Sequence, residues 1–122
     1  MATTVPASCL SAAAWAEALG RLREQGRVRL DDVETTALAG ALDGVVAESV
    51  ELFGSRTDPF GRGGDIDLLI LSSGPRLETA RRVSSRFFMD CEERIDVVVL
   101  DPRTLTAAED AFVRSLRRVR IA

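Results

Sequence analysis

The chain has 122 residues, a formal net charge of −3 and 46% hydrophobic residues, which suits one globular domain with a real core and excludes two large domains. All sixteen basic residues are arginine, and histidine, lysine and tyrosine are absent. Catalysis by an imidazole, a side-chain amine or a phenol is therefore excluded, and any chemistry must use carboxylates, hydroxyls, arginines, thiols or bound metal. The negative net charge argues against a general nucleic-acid coat protein.

The start of the chain carries no clear helical or strand period. We expect residues 1–10 to form a flexible leader in front of a single domain at 11–122. They lack the positively charged start and long apolar stretch of a secretory signal, and no apolar run approaches the roughly twenty residues that cross a bilayer. We therefore expect a cytoplasmic protein with no membrane partner. Cys9 and Cys91 form no disulfide framework or zinc-type cluster, so we interpret them as structural thiols.

Apolar periodicity divides the rest of the chain into helices and strands. The alternation of the two predicts an α/β (α+β) fold, in which helices flank a small mixed β-sheet. The predicted elements are a helix at 12–25, a helix between Asp31 and Gly44, a strand at 45–53, a loop at 55–64, a strand at 65–71, a helix at 77–90, a strand at 94–100 and a helix at 107–119.

Acidic residues interrupt two strongly apolar strands close to their starts. Asp65 and Asp67 are two residues apart, so in a strand their carboxylates project from one face while Ile66 points the other way. If the strand at 94–100 lies beside this one, Asp96 joins the same face. Two carboxylates about 4 Å apart repel by roughly 4 kcal/mol at an effective dielectric of about 20, so protons or cations must offset them. Magnesium is the expected cation, because a few carboxylates and substrate phosphates usually hold it.

A glycine–serine pair ends the strand that precedes these acidic residues. Gly54 allows close backbone approach or a positive φ angle, and Gly54-Ser55 can close N–H groups and a hydroxyl around phosphate oxygens. Arg56 can add positive charge there, and the glycine-rich loop at 57–64 can bring phosphate and carboxylates together. Each feature alone is commonly a mere turn or a solvated strand edge. Their conjunction has no simple packing rationale, so we predict a phosphate- and metal-binding site.

Two strings carry this pattern: Leu-Phe-Gly-Ser-Arg at 52–56 and Asp-Ile-Asp-Leu at 65–68, followed by a single Asp96. In this order they resemble the motif of the DNA polymerase β nucleotidyltransferase superfamily, and within it the minimal nucleotidyltransferase (MNT) group. The resemblance covers about residues 45–101 and, more loosely, the final helix. One departure is the spacer between the serine and the first aspartate, residues 56–64, which is one residue shorter than usual.

The resemblance implies a nucleotidyltransferase fold and a metal-dependent transfer of a nucleoside monophosphate, expected to be AMP from ATP, to a hydroxyl group. Gly54 and Ser55 would hold the β and γ phosphates, with Arg56 as the further phosphate contact suggested above. Asp65 and Asp67 would bind two Mg²⁺ ions. Asp96 would complete the metal site beside the attacking oxygen and help to deprotonate it.

The acceptor is expected to be a macromolecule, because only residues 102–122 follow the last catalytic strand and no acceptor-binding domain is apparent. Many MNT proteins are antitoxins that adenylylate a tyrosine of a helical HEPN ribonuclease toxin, so the resemblance implies a HEPN-type partner. Two alternatives stay open. Arg114, Arg117 and Arg118 on the final helix favour transfer to RNA or tRNA, although a solvated face beside Glu109 and Asp110 is the better interpretation of these arginines. The chain could also be a non-catalytic antitoxin that acts by binding alone.

Overall fold

The computed structural model describes residues 8–122. It contains a mixed four-stranded sheet flanked by helices, which confirms the predicted α/β fold class. None of the helices within these residues is both long and apolar enough to cross a membrane. In chain order the elements are β1 (Ser8–Cys9), α1 (Ala12–Glu24), α2 (Asp32–Leu42), β2 (Val46–Ala47), β3 (Ser49–Phe53), a 3-10 turn (Gly54–Thr57), β4 (Ile66–Leu71), α3 (Arg76–Asp90), β5 (Ile95–Leu100), α4 (Ala107–Ser115) and β6 (Arg118–Arg120).

The main sheet has the strand order β5-β4-β3-β6. β4 and β5 run parallel and are connected through α3, whereas β3 is antiparallel to both β4 and β6. The C-terminal end of β3 therefore meets the N-terminal ends of the other three strands at one edge of the sheet. This edge carries the Gly54 turn, Asp67 and Asp96.

The two faces of the sheet bury different sets of residues, because side chains alternate along each strand. In β4, Leu68 and Ile70 face the larger core formed with α1, α2 and α3, and Leu69 faces a smaller core under α4. All three side chains are completely buried. The continuous apolar run of β4 is thus explained by helices on both faces, as its sequence predicts.

Three helices begin at sequence-coded caps. Ser11 accepts a hydrogen bond from the backbone of α1, and both α2 and α4 start with a capping box in which the cap residue and a glutamate satisfy each other's backbone N–H groups. The capping boxes pair Asp31 with Glu34 and Thr106 with Glu109. Glu34 is also buried, so capping is not its only contact with the fold.

The N-terminal part of the chain differs from the prediction where it can be compared. Residues 1–7 of the predicted leader lie outside the described residues, but Ser8 and Cys9 form β1 and pair antiparallel with β2. The predicted strand at 45–53 is also divided into β2 and β3. Glu48 separates them, and its backbone N–H donates to the carbonyl of Leu71. One stretch of apolar residues thus serves two separate sheets.

The predicted final helix at 107–119 is wrong beyond Ser115, where α4 ends. Residues 118–120 form β6, which pairs antiparallel with β3. β-Branched Val119 and Ile121 are buried in the larger core, and the backbone of β6 covers an edge of β3 that a helix would leave unpaired. Arg118 and Arg120 therefore lie on a strand, and the arginine-rich helical face that favoured RNA as an acceptor does not form.

Candidate active site

Gly54 allows the end of β3 to touch a carboxylate of β4. Its φ angle is +75°, a conformation that is costly for a residue with a Cβ atom. A Cβ atom at this position would lie 2.6 Å from Oδ2 of Asp67. The Thr57 hydroxyl donates to the Gly54 carbonyl at 2.7 Å, and the Gly54 N–H donates to the Arg117 carbonyl at 3.3 Å. Turn and carboxylate are therefore in direct contact.

Ser55 makes the second contact across the loop. Its side chain is exposed, yet a Cβ atom on Gly64 would collide with its hydroxyl oxygen. Gly64 also has a positive φ angle, +83°. The two ends of the 55–64 loop thus meet, and the serine hydroxyl lies next to the residue before Asp65. This closure brings the predicted phosphate-binding turn and the predicted metal ligands to one place despite the short spacer.

Asp67 and Asp96 are direct neighbours on the parallel strands β4 and β5. The burial of Asp67, the negative charges of Asp96 and Asp65, and a hydrogen bond with Asp96 raise the pKa of Asp67 from 3.8 to about 6. The shift is the one expected for a partly buried carboxyl group that lies against another negative charge. Asp65 precedes the first residue of β4 and acts on this pair through its charge.

The carboxylates suit a hard divalent cation, although three of them do not converge. Within residues 8–122, no three acidic or thiol side chains stand close enough to form a complete metal-binding group. Asp67 and Asp96 together offer oxygen ligands under mutual repulsion, and Mg²⁺ is commonly held by one or two carboxylates with water and substrate phosphates. The structure thus brings Asp67 and Asp96 of the three predicted carboxylates into contact. Asp65 lies just before β4 and is near enough for its charge to act on Asp67.

Arg56 is placed away from the predicted phosphate position. Its guanidinium group is buried and forms a bidentate ion pair with Glu34 at 2.7 and 2.8 Å. It also donates to the carbonyl oxygens of Arg29 and Gly64 at 3.0 and 3.1 Å. These contacts raise the pKa of Arg56, chiefly through the hydrogen bond with Glu34. Its charge is committed to the protein interior, so in the structure it supports the loop rather than facing the Ser55 hydroxyl.

Two residues near the loop escaped the sequence analysis. Arg29 lies between two predicted helices and has no periodic neighbours, and its side chain donates to the carbonyls of Ser55 and Asp58. Glu34 reads as an ordinary helix cap. Burial acts to raise its pKa, but hydrogen bonds from Arg56 and the Asp31 backbone, with the nearby arginine charges, lower it overall. The one feature of the sequence that could have indicated the Glu34–Arg56 ion pair is a glutamate on the side of α2 that faces the core.

The site as a whole combines an exposed hydroxyl, a tight turn that begins at a positive-φ glycine and a pair of contacting carboxylates at one sheet edge. This combination can hold an anionic, phosphate-bearing ligand next to a divalent cation. No family model, curated protein or solved structure matches the chain.

Proposed function

We propose that this protein is a magnesium-dependent nucleotidyltransferase of the MNT type, which transfers a nucleoside monophosphate, AMP from ATP, to a hydroxyl of a macromolecule. One observation carries the proposal: the backbone of Gly54 approaches Oδ2 of Asp67 so closely that no side chain fits between them. A phosphate gripped by the turn would therefore lie next to the carboxylates that hold its counter-ion.

The chain's own groups have distinct tasks in this reaction. The Gly54–Ser55 turn and the Ser55 hydroxyl would bind the terminal phosphates, and Asp67 and Asp96 would hold the cation, with the negative charge of Asp65 beside them. Mg²⁺ held by these carboxylates would supply charge neutralisation for the transferred phosphate and for the leaving oxygen. The acceptor oxygen forms a bond to the α-phosphorus while the bond to the bridging oxygen breaks, and pyrophosphate leaves with the electron pair. The proton of the acceptor hydroxyl passes to a carboxylate, for which the exposed Asp96 is our candidate.

The electrostatics of the carboxylates also support a cation site. Burial first, and then the negative charges of Asp96 and Asp65, raise the pKa of Asp67 to about 6, so the ionised form of Asp67 is held against both burial and charge repulsion. A divalent cation removes this repulsion and the cost of burying charge at the same time. The packing of the sheet does not require two carboxylates at this point, and cation binding would explain why Asp67 and Asp96 lie side by side.

For the acceptor we propose a tyrosine hydroxyl of a HEPN-type toxin, on the strength of the MNT resemblance. The competing RNA acceptor rested on an arginine-rich final helix, but α4 ends at Ser115 and Arg118 lies on β6 instead. Arg118 pairs with Glu51 at 3.0 Å, so it is also partly neutralised. Transfer to RNA and action by binding alone remain outcomes of the test.

The test is transfer of label from α-labelled ATP with Mg²⁺, offered separately to a HEPN-type toxin and to bulk tRNA. Wild type is compared with Asp67→Asn and Asp96→Asn. Asp110→Asn is the matched control, because it makes the same change on α4, where the carboxylate pairs with Arg114 alone among residues 8–122. We expect label on the toxin with wild type and Asp110→Asn, and none with the other two variants.

Each other outcome has a defined meaning. Label on tRNA alone would replace the proposed acceptor and keep the nucleotidyltransferase. Absence of label everywhere, while Asp67→Asn still neutralises and binds the toxin as wild type does, would overturn the enzymatic proposal in favour of an antitoxin that acts by binding.

A further inference from the structure

The loop that carries Ser55 rests on a buried ion pair. The side chains of Arg56 and Glu34 are each about 5% exposed and meet at 2.7 Å. Taking two charges out of water is costly, and a buried pair usually contributes little net stability compared with apolar residues of the same volume. The presence of this pair therefore calls for a reason other than stability.

The remaining contacts of Arg56 supply that reason. Beyond Glu34, its guanidinium donates to the carbonyl of Gly64, the last residue of the loop, and to the carbonyl of Arg29. Arg56 follows Ser55 directly, and Gly64 precedes Asp65. The rigid, planar guanidinium of Arg56 thus links the start of the loop, next to Ser55, to Gly64 at its end, next to Asp65.

Arg29 holds the same loop from the other side. Its Nη2 and Nε atoms donate to the carbonyls of Ser55 and Asp58, each at 3.2 Å, and its own N–H donates to the Arg56 carbonyl at 2.7 Å. The Gly61 Cα also packs against it so tightly that a Cβ atom would lie 3.0 Å from Nη2. Together Arg29 and Arg56 satisfy loop carbonyls that a flexible glycine-rich segment would otherwise turn to water.

We propose that Arg29 and the Glu34–Arg56 pair are positioning residues, which hold the 55–64 loop in its phosphate-binding shape before any nucleotide arrives. None of the three is assigned to touch the substrate. They act through Ser55 and Asp65, whose separation they set. The expected effect on catalysis rests on the proposed function. The claim that these residues hold the loop in shape does not.

Arg29 is the residue to change. Removal of Arg56 would leave the buried Glu34 carboxylate without its charged partner, which is strongly destabilising, so a loss of activity would say nothing about the loop. Arg29 is only partly buried, and Arg29→Met keeps its aliphatic packing while it removes both donors. Arg27→Met is the matched control, because Arg27 is exposed and makes the same change of charge two residues away.

The shape of the loop can be measured without any assumption about function. The chain contains no lysine, so Arg62→Lys in the exposed middle of the loop creates a single cleavage site for a lysine-specific protease. Cleavage there reports local opening of the loop. One lost charge-assisted hydrogen bond corresponds to roughly ten-fold. Arg29→Met removes two, so in this background we expect it to speed cleavage by at least roughly ten-fold, and we expect Arg27→Met to leave the rate unchanged.

The catalytic consequence is a split between the kinetic constants. Because a misplaced turn weakens the grip on phosphate, we expect Arg29→Met to raise KM for MgATP by roughly ten-fold and to leave kcat near the wild-type value. Simple destabilisation would instead lower the amount of active enzyme at an unchanged KM.

Equal cleavage rates in Arg29→Met and wild type would overturn the inference that these residues hold the loop. Faster cleavage with an unchanged KM would overturn its consequence for phosphate binding. If wild type transfers no label at all, the proposed function fails, and the cleavage rates still decide whether these residues hold the loop.

Discussion

Gly54 and Gly64 each make room for a polar side chain that comes from the other end of the loop. Asp67 approaches the first glycine and Ser55 the second, and both glycines have positive φ angles. Two independent needs, backbone conformation and space, therefore coincide at each position. A glycine with only one of these needs provides the comparison that separates them, and Gly26, with a φ angle of +68° and open space around it, is such a residue.

Gly54→Ala should reduce both stability and transfer. The positive φ angle alone costs about 1–2 kcal/mol in stability, and the displaced Asp67 carboxylate should lower the transfer rate by about 100-fold. Gly26→Ala should show the conformational cost and keep full activity. Urea unfolding and the α-labelled ATP assay measure the two effects, and an active Gly54→Ala enzyme would show that turn and carboxylate need not touch.

Asp67→Asn should stabilise the metal-free protein near neutral pH. The pKa of Asp67 is about 6 in the fold and 3.8 in its absence, so the folded state binds the proton more tightly. The stability that the folded protein gains from protonated Asp67 is fully present below pH 3.8, and it is lost as the pH rises through about 6. The shift corresponds to at most roughly 3 kcal/mol, of which solvent screening should leave about 1–2 kcal/mol.

The measurement is the free energy of unfolding in urea with a chelator, from pH 4 to pH 7.5. Wild type should lose stability across this range relative to Asp67→Asn, and Asp110→Asn should follow wild type. If Asp67→Asn were less stable than wild type at pH 7.5, the prediction would be wrong, and the ionised Asp67 carboxylate would have to stabilise the fold.

At the scale of elements, β6 completes the site edge from the end of the chain. It pairs with β3 through Phe53 and Arg118, and the residue before it accepts the Gly54 N–H. The turn is thus held between β4 on one side and the start of β6 on the other. α4 covers the face of the sheet that carries the smaller core, and its Phe112 packs edge-on against Phe53. This contact holds the last residue of β3, directly before the Gly54 turn.

Val119→Ala tests whether β6 is packed as a strand. Val119 is 8% exposed and belongs to the larger core, so truncation should cost about 1–3 kcal/mol. Arg120→Ala, one residue away on the opposite face, should cost less than about 0.5 kcal/mol. Urea unfolding measures both, and equal small effects would indicate that residues 118–120 do not pack against β3.

At the scale of the whole molecule, the site gathers residues from separate parts of the chain on a rigid frame. β3, β4, β5 and β6 all reach the same sheet edge, with cores on both faces behind it. Functional groups held on packed strands are more precisely placed than groups on loops alone. A ligand that bridges several of these strands should therefore stabilise the entire fold.

MgATP should raise the free energy of unfolding of the wild-type protein. A ligand that binds only the folded state stabilises it by about 2.7 kcal/mol at 100 times its Kd. The double variant Asp67→Asn/Asp96→Asn should lose this gain, and ATP with a chelator should give little of it even to wild type. Urea unfolding at fixed nucleotide concentration measures the effect, and equal stabilisation of the double variant would place the nucleotide elsewhere.

Much of the fold follows from local patterns in the sequence. The caps at Ser11, Asp31 and Thr106 and the apolar run of β4 place these elements, because each signal depends only on near neighbours and on burial. The contact between Gly54 and Asp67 was anticipated only in outline, as a turn that approaches a ligand. The strand at 118–120 was missed, because a short segment with arginines at both ends suits a helix equally well until an open strand edge is available.

The sequence by itself determined the fold class, most of the helices and strands, and the chemistry of the candidate groups, since composition and periodicity are local properties. Tertiary structure alone decided that β5 lies next to β4, so that Asp96 meets Asp67, and that Arg56 turns inward to Glu34. Strand order and the direction of a long side chain depend on residues far apart in the chain, whose pairing is settled by burial and hydrogen bonding in the assembled core.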